Sequence, residues 1–182
     1  VTRLIFLGAP GAGKGTQASL LASTCSIPHV STGDILRAAV ANQTPLGLQA
    51  TSYMDRGDLV PDQLVIELIQ ERLNAPDAQA GWILDGFPRN VAQAEFLDAL
   101  LDKMSQPYDY VVSLEVPDEV LVQRMLDRGR SDDTEEVIRN RLQVYRNQTS
   151  PLIEFYQRCK KLMVVDGDKS MEEVTMDLKK FV

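Results

Sequence analysis

The 182-residue chain has one histidine, one tryptophan and two cysteines. Cys25 and Cys159 form no CxxC pair, and a single histidine leaves a structural zinc site short of ligands. Both cysteines are therefore expected to act as small core hydrophobes, and no zinc is expected. No apolar run approaches the roughly 20 residues needed to span a bilayer, so no membrane partner is expected. The apolar stretch Arg3–Leu7 is short and runs straight into glycines, which suits a strand better than a signal peptide. Positive charge is also scarce: 19 Lys and Arg face 26 Asp and Glu, a net charge of −7. That balance argues against broad nucleic-acid binding, which needs a basic surface. A soluble cytoplasmic protein is the expectation. A plastid stroma or a mitochondrion stays open, because a removed transit peptide would leave no trace.

What is present suits one domain over residues 1–182, with 44% apolar residues to build its core. Short β-rich runs (Arg3–Leu7, Pro28–Val30, Trp82–Leu84, Tyr110–Leu114, Leu162–Val165) alternate with helical patterns. The helices are expected near 14–24, 33–42, 61–73, 90–102, 118–128, 133–157 and 170–181. Continuous apolar strands separated by helices predict an α/β fold with a parallel sheet. Pro117 and Asp118 signal a helix start, and Pro151 is expected to kink or split the long helix near its middle. Residues 31–60 break the alternation. They hold two short helical patterns, no strand, and breaks at Pro45, Gly47 and Gly57, as a movable helical insert would.

Gly8-Ala9-Pro10-Gly11-Ala12-Gly13-Lys14-Gly15-Thr16 follows the first strand and opens a helix, the context a P-loop requires. Its glycines let backbone N–H groups approach phosphate oxygens. The helix N-terminus adds positive potential, and Lys14 adds a full charge for the β- and γ-phosphates. Gly15 stands where the general pattern has a hydroxyl, so Thr16 supplies the candidate magnesium contact. Asp85, closing the run Trp82-Ile83-Leu84, suits either magnesium held through water or a turn-forming carboxylate. There is no Asn-Lys-x-Asp guanine reader. Of the twelve arginines, six lie between Arg124 and Arg146. They fit either an anion site or helix-surface pairing such as Glu135 with Arg139.

Three further strings accompany the P-loop: Ser31-Thr32-Gly33-Asp34-Ile35-Leu36-Arg37, Gly57-Asp58-Leu59-Val60-Pro61-Asp62 and Asp85-Gly86-Phe87-Pro88-Arg89. With them the chain resembles the adenylate kinases from residue 3 to about 180. That resemblance implies a P-loop NTPase fold with a five-stranded parallel sheet flanked by helices. It also implies an AMP-binding clamp over residues 31–60 and reversible, magnesium-dependent transfer between ATP and AMP to give ADP. The implied AMP contacts are Thr32, Arg37, Asp58, Leu59, Val60, Gly86, Phe87, Pro88, Arg89, Gln93, Arg130 and Arg141. The implied ATP contacts are Gly11, Ala12, Gly13, Lys14, Gly15, Thr16, Arg124, Arg128 and the backbone of Lys169. Lys14, Arg89, Arg124, Arg130 and Arg141 are the implied catalytic charges. Arg139 and Arg146 match less specific positions and are read as helix-surface residues.

Many bacterial relatives carry a sizeable lid after the position of Arg128, some with zinc. Here Gly129 alone separates Arg128 from Arg130, which implies a minimal lid over 127–133 without metal. Asp132 and Asp133 suit either arginine orientation or a helix dipole. Monomers are common among small members. AMP phosphate is already an oxyanion, so no general base is required. The task is to position two polyanions and offset their repulsion. Asn90 after Pro88-Arg89 is similar to relatives that use UMP or CMP, but those tend to have Ala at the position of Thr32 and Asn at that of Gln93, so these two positions favour AMP. The donor base is not fixed by the sequence.

Overall fold

In a computed structural model, residues 2–56, 60–129 and 134–182 are described, apart from the side chain of Met54. The Asp58, Leu59, Arg130, Asp132 and Asp133 assignments fall outside them. The first strand, β1 (Thr2–Gly8), alternates its large residues between two faces. Leu4 and Phe6 enter one apolar cluster, Ile5 and Leu7 the other. Period-two alternation in a strand covered on both sides produces this division. The remaining strands are β2 (His29–Ser31), β3 (Gly81–Asp85), β4 (Tyr110–Glu115) and β5 (Leu162–Asp166). All pair in parallel, in the order β2-β3-β1-β4-β5. β2 and β3 lie on one side of β1 and β4 and β5 on the other, so a crevice opens beyond the carboxyl end of β1.

On the Leu4/Phe6 face, α1 (Lys14–Cys25), α6 (Asp118–Arg128) and α8 (Met171–Leu178) bury Leu21, Leu121, Met125 and Leu178. A 3₁₀ turn, Lys179–Phe181, continues α8. On the other face, α4 (Asp62–Leu73) and α5 (Val91–Lys103) bury Ile69, Leu73, Leu97 and Leu101. The only tryptophan is fully buried there, and its Nε1–H donates to Gln106 Oε1 at 3.1 Å, so the ring brings no unpaired donor into the core.

Helix α7 (Glu135–Arg158) joins the two layers. Ile138 and Leu142 belong to the first cluster, Leu152 and Tyr156 to the second. It runs through Pro151 as a single helix, so of the expected kink or split the split does not occur. Proline removes one N–H, but the helix is anchored on both sides of it by buried residues. Cys159, at the end of α7, is exposed and Cys25 is half-buried; neither is disulfide-bonded. The expectation of a core position therefore fails for Cys159, which lies beyond the last buried turn of the helix. The 31–60 segment forms α2 (Thr32–Ala41) and α3 (Pro45–Asp55). These pack with α4 around a small separate core of Ala39, Ala50, Leu64 and Leu68. Gly47 permits the close α2–α3 approach: a β-carbon there would lie 1.9 Å from Ala39 O.

Candidate active site

The P-loop bridges β1 and α1, and its shape follows from its glycines. Gly11 and Gly13 have φ of 84° and 85°, a region that costs glycine little and other residues more. Gly13 N-caps α1, and the Ala12 N–H donates to Ala9 O at 3.1 Å, closing the turn. Ala9 and Ala12 are buried and fix the loop to the core, so Ala12 contributes backbone rather than side chain.

Lys14 forms an ion pair with Asp85 at the end of β3. The second Asp85 oxygen is 2.9 Å from His29 Nε2. Burial by itself would raise this carboxyl's pKa; the hydrogen bond with His29 and the charge of Lys14 outweigh it and hold the pKa below its ordinary value. Sequence reasoning missed His29. Its position at the start of β2, in register with Ile83 two residues before Asp85, depends on strand order. Among the described residues no group of three or more His, Cys, Asp or Glu forms a metal cage. Both Asp85 oxygens have partners, Lys14 on one and His29 on the other. Thr16, exposed on the first turn of α1, can offer its hydroxyl.

A cleft of about 660 Å³ starts on this cradle. Gly11, Gly13, Lys14, Gly15 and Thr16 line it together with Gly86, Pro88, Arg89 and Arg141. Three cationic groups assigned to phosphate, from the P-loop, the loop after β3 and α7, thus face one space. Arg89 is exposed, and its Nε donates to Gly86 O at 3.2 Å. Phe87, by contrast, is buried in the second cluster, which leaves its backbone for the expected AMP contact. The Phe87–Pro88 peptide bond is cis.

Arg124 lies behind the cradle. Its guanidinium donates to Gly11 O at 3.3 Å and Gly167 O at 3.0 Å, tying the P-loop to the turn after β5. Arg128 follows one turn later, exposed at the end of α6. Lys169 binds Asp177 at 3.0 Å through its side chain, which leaves its backbone for the expected role. Arg139 pairs with Glu119 and Glu135, and Arg146 binds Asp118 through Nε at 2.8 Å. These two are surface-pairing residues.

The acceptor candidates are arranged differently. Thr32 opens α2 beside Gly86: a β-carbon on Gly86 would lie 3.2 Å from Thr32 Oγ1. Arg37 is exposed and pairs with Asp34, one turn away. Gln93 is nearly buried and binds Asp62 and the Arg89 backbone. Val60 packs against the small core of the insert. Beyond the expected Arg141, sequence reasoning missed the rest of one wall of the cleft: Asn140, Val144, Gln148 and Leu152, with Tyr145 and Thr149 beside them. The signal was present as two stripes at i, i+4 spacing, but the expected break at Pro151 obscured it.

A parallel sheet with a glycine-rich phosphate cradle at its carboxyl edge, faced by converging cations, defines a P-loop phosphotransferase. The family model described as Adenylate kinase matches residues 6–161. Adenylate kinase 1 of Nostoc sp. strain PCC 7120 is 61% identical over 98% of this chain and 97% of that protein. Adenylate kinase 1 of Synechocystis sp. strain PCC 6803 is 59% identical over 98% of this chain and 96% of its own length. Adenylate kinase of Trichodesmium erythraeum is 55% identical over 100% of this chain and 98% of that protein. The chain belongs to the adenylate kinase family.

Proposed function

We propose that the cleft between the P-loop, Arg89 and α7 is where this chain carries out the family reaction, ATP + AMP ⇌ 2 ADP. The observation that supports this assignment is the convergence of Lys14, Arg89 and Arg141, from three separate elements, on one cavity. In the forward direction an AMP phosphate oxygen forms a bond to the γ-phosphorus. The bond from that phosphorus to the β–γ bridging oxygen breaks, and the electron pair leaves on ADP. No proton need be removed from the acceptor. Catalysis therefore rests on alignment and on charge placed where the equatorial oxygens gather it.

In this reading the P-loop amides and Lys14 hold the β- and γ-phosphates. Lys14 exchanges Asp85 for phosphate as the donor arrives. Arg124 keeps the loop in shape, and Arg128 and the Lys169 backbone meet the rest of ATP. Arg89 and Arg37 grip the AMP phosphate in fork geometry, while Thr32, Val60 and Gln93 receive the base. Asp85 and Thr16 would hold magnesium through water, and the ion would neutralise charge on the β- and γ-oxygens. The 31–60 insert closes when AMP binds, bringing Arg37 to the cleft and excluding water. A cytoplasmic location is part of the same reading. Among the described residues no helix is long and apolar enough to cross a membrane.

The test is ADP formation with magnesium and ATP, supplied in turn with AMP, CMP, UMP or no acceptor. Rapid turnover with AMP alone supports the acceptor assignments. Equal turnover with UMP or CMP would overturn the roles of Thr32 and Gln93. ADP formation independent of acceptor would overturn the transfer site.

A further inference from the structure

A primary amide can present itself to a ligand in two orientations related by a flip, and the two read opposite hydrogen-bond patterns. At Gln93 the surroundings permit only one. The Arg89 backbone N–H, which can only donate, lies 2.8 Å from Gln93 Oε1. The Asp62 carboxylate, which can only accept, lies 2.8 Å from Gln93 Nε2. The Gln93 backbone is itself fixed, because its N–H donates to Asn90 Oδ1 at 2.9 Å as the N-cap of α5. Flipping the amide would set two donors against each other at Arg89 and two acceptors at Asp62. Gln93 is 7% exposed, so little solvent is available to offset either clash.

We infer that Asp62 is a specificity-determining residue: by pinning the Gln93 amide it fixes which acceptor base the site reads. The inference rests on the proposal above that the base of the monophosphate lies at Gln93. Two of the amide's four hydrogen-bonding positions are taken, leaving one N–H and one lone pair in a set order. Adenine presents an acceptor at N1 and a donor at N6. Hypoxanthine, almost the same in shape, presents a donor at N1 and an acceptor at O6. With the phosphate held at the other end of the nucleotide, an amide in one orientation satisfies one edge and opposes the other. An amide free to flip serves both. Asp62 is the first residue of α4, directly after the insert. It therefore couples the acceptor clamp to the loop bearing Arg89 without touching the nucleotide.

The experiment compares kcat/KM for AMP and IMP, with saturating magnesium and ATP, in the unaltered protein and in Asp62→Asn, Asp62→Glu and Gln93→Leu. Asn offers both a donor and an acceptor, so the flipped amide then meets one clash, with the Arg89 N–H, instead of two; Glu, as an acceptor only, keeps both. The expected result is an AMP-to-IMP ratio about tenfold lower in Asp62→Asn, a ratio largely kept in Asp62→Glu, and a collapsed ratio in Gln93→Leu. A structural role alone would lower both acceptors together and leave the ratio unchanged. If the ratio is unchanged in Asp62→Asn but collapses in Gln93→Leu, the pinning role is overturned while the base position stands. If Gln93→Leu also keeps the ratio, the base does not lie at Gln93 and both readings fall. Should Asp62→Asn fold poorly by circular dichroism, Asp62→Ser carries the same test, since a hydroxyl both donates and accepts.

Discussion

The proposed donor and acceptor sides hold their arginines in different ways. On the donor side, Arg124 is half-buried and bonded to two backbone carbonyls, Gly11 O and Gly167 O. It belongs to the framework as much as to the site. On the acceptor side, the Arg37 side chain is 71% exposed and its ion pair is with Asp34, three residues away on its own helix. The cores differ in the same sense. The donor cradle rests on the main apolar cluster of α1, α6, α8 and the sheet. Among the described residues the insert contributes two buried hydrophobic residues to its own core, Ala39 and Ala50, and borrows Leu64 and Leu68 from α4. A preformed cradle suits a nucleotide bound by backbone amides. A lightly packed insert costs little to move, as the closure proposed above requires.

The sharpest way to break the donor half is Lys14→Met. It removes the charge on the transferring phosphoryl and leaves Asp85 with His29 as its remaining partner. Steady-state kinetics should show turnover lower by on the order of 10³-fold, with a reduced Tm as well. Arg89→Lys should keep the fold by circular dichroism yet lower kcat by about 10²-fold, because one ammonium cannot reproduce a bidentate fork. Near-normal turnover would remove Arg89 from the transfer site.

The comparison between the halves is tested most directly by one pair of variants. Arg124→Ala should lower both Tm and kcat, since it unties the P-loop from the Gly167 turn. Arg37→Ala should leave Tm almost unchanged while raising the KM for AMP by about tenfold. If both variants lowered Tm equally, the contrast drawn here would fail. Gly47→Ala should weaken AMP binding and spare ATP binding, measured by titration calorimetry, because its β-carbon would meet Ala39 O inside the insert alone.

The smallest expected effect lies outside both halves. Burial, with Asp102 and Glu95 nearby, raises the pKa of Asp98, and its Oδ1 has no hydrogen-bond partner. A carboxyl whose folded pKa exceeds its unfolded value costs stability progressively as pH rises from the unfolded pKa through the folded one. Asp98→Asn should therefore raise Tm at pH 7 by a degree or so, on the order of a few tenths of a kcal/mol. The gain should vanish as pH falls below the ordinary carboxylate range of about 4. Thermal melts across pH test this, and a gain that persists at pH 3 would assign it to packing instead.

The sequence by itself determined the elements and the donor cradle. Strand alternation, the glycine string and the helix starts are local, and their physics acts between neighbours in the chain: φ freedom at Gly11 and Gly13, period two in β1, Pro117 before α6. The pairing of Arg139 with Glu135 was legible for the same reason, because the two stand at i, i+4 on α7; the partners Glu119 and Asp118 come from α6 and needed the packing of the two helices. Tertiary structure alone decided which distant groups meet. The pairing of His29 with Asp85 requires β2 to lie beside β3. The burial of Phe87 and the exposure of Cys159 depend on where the chain leaves each layer. The α7 wall of the cleft exists because Leu142 and Leu152 anchor that helix in two different cores, which carries it through Pro151 and across the end of the sheet. The fixed orientation of Gln93 needs a carboxylate 31 residues away. A period can be read along a chain; a partner chosen by packing cannot.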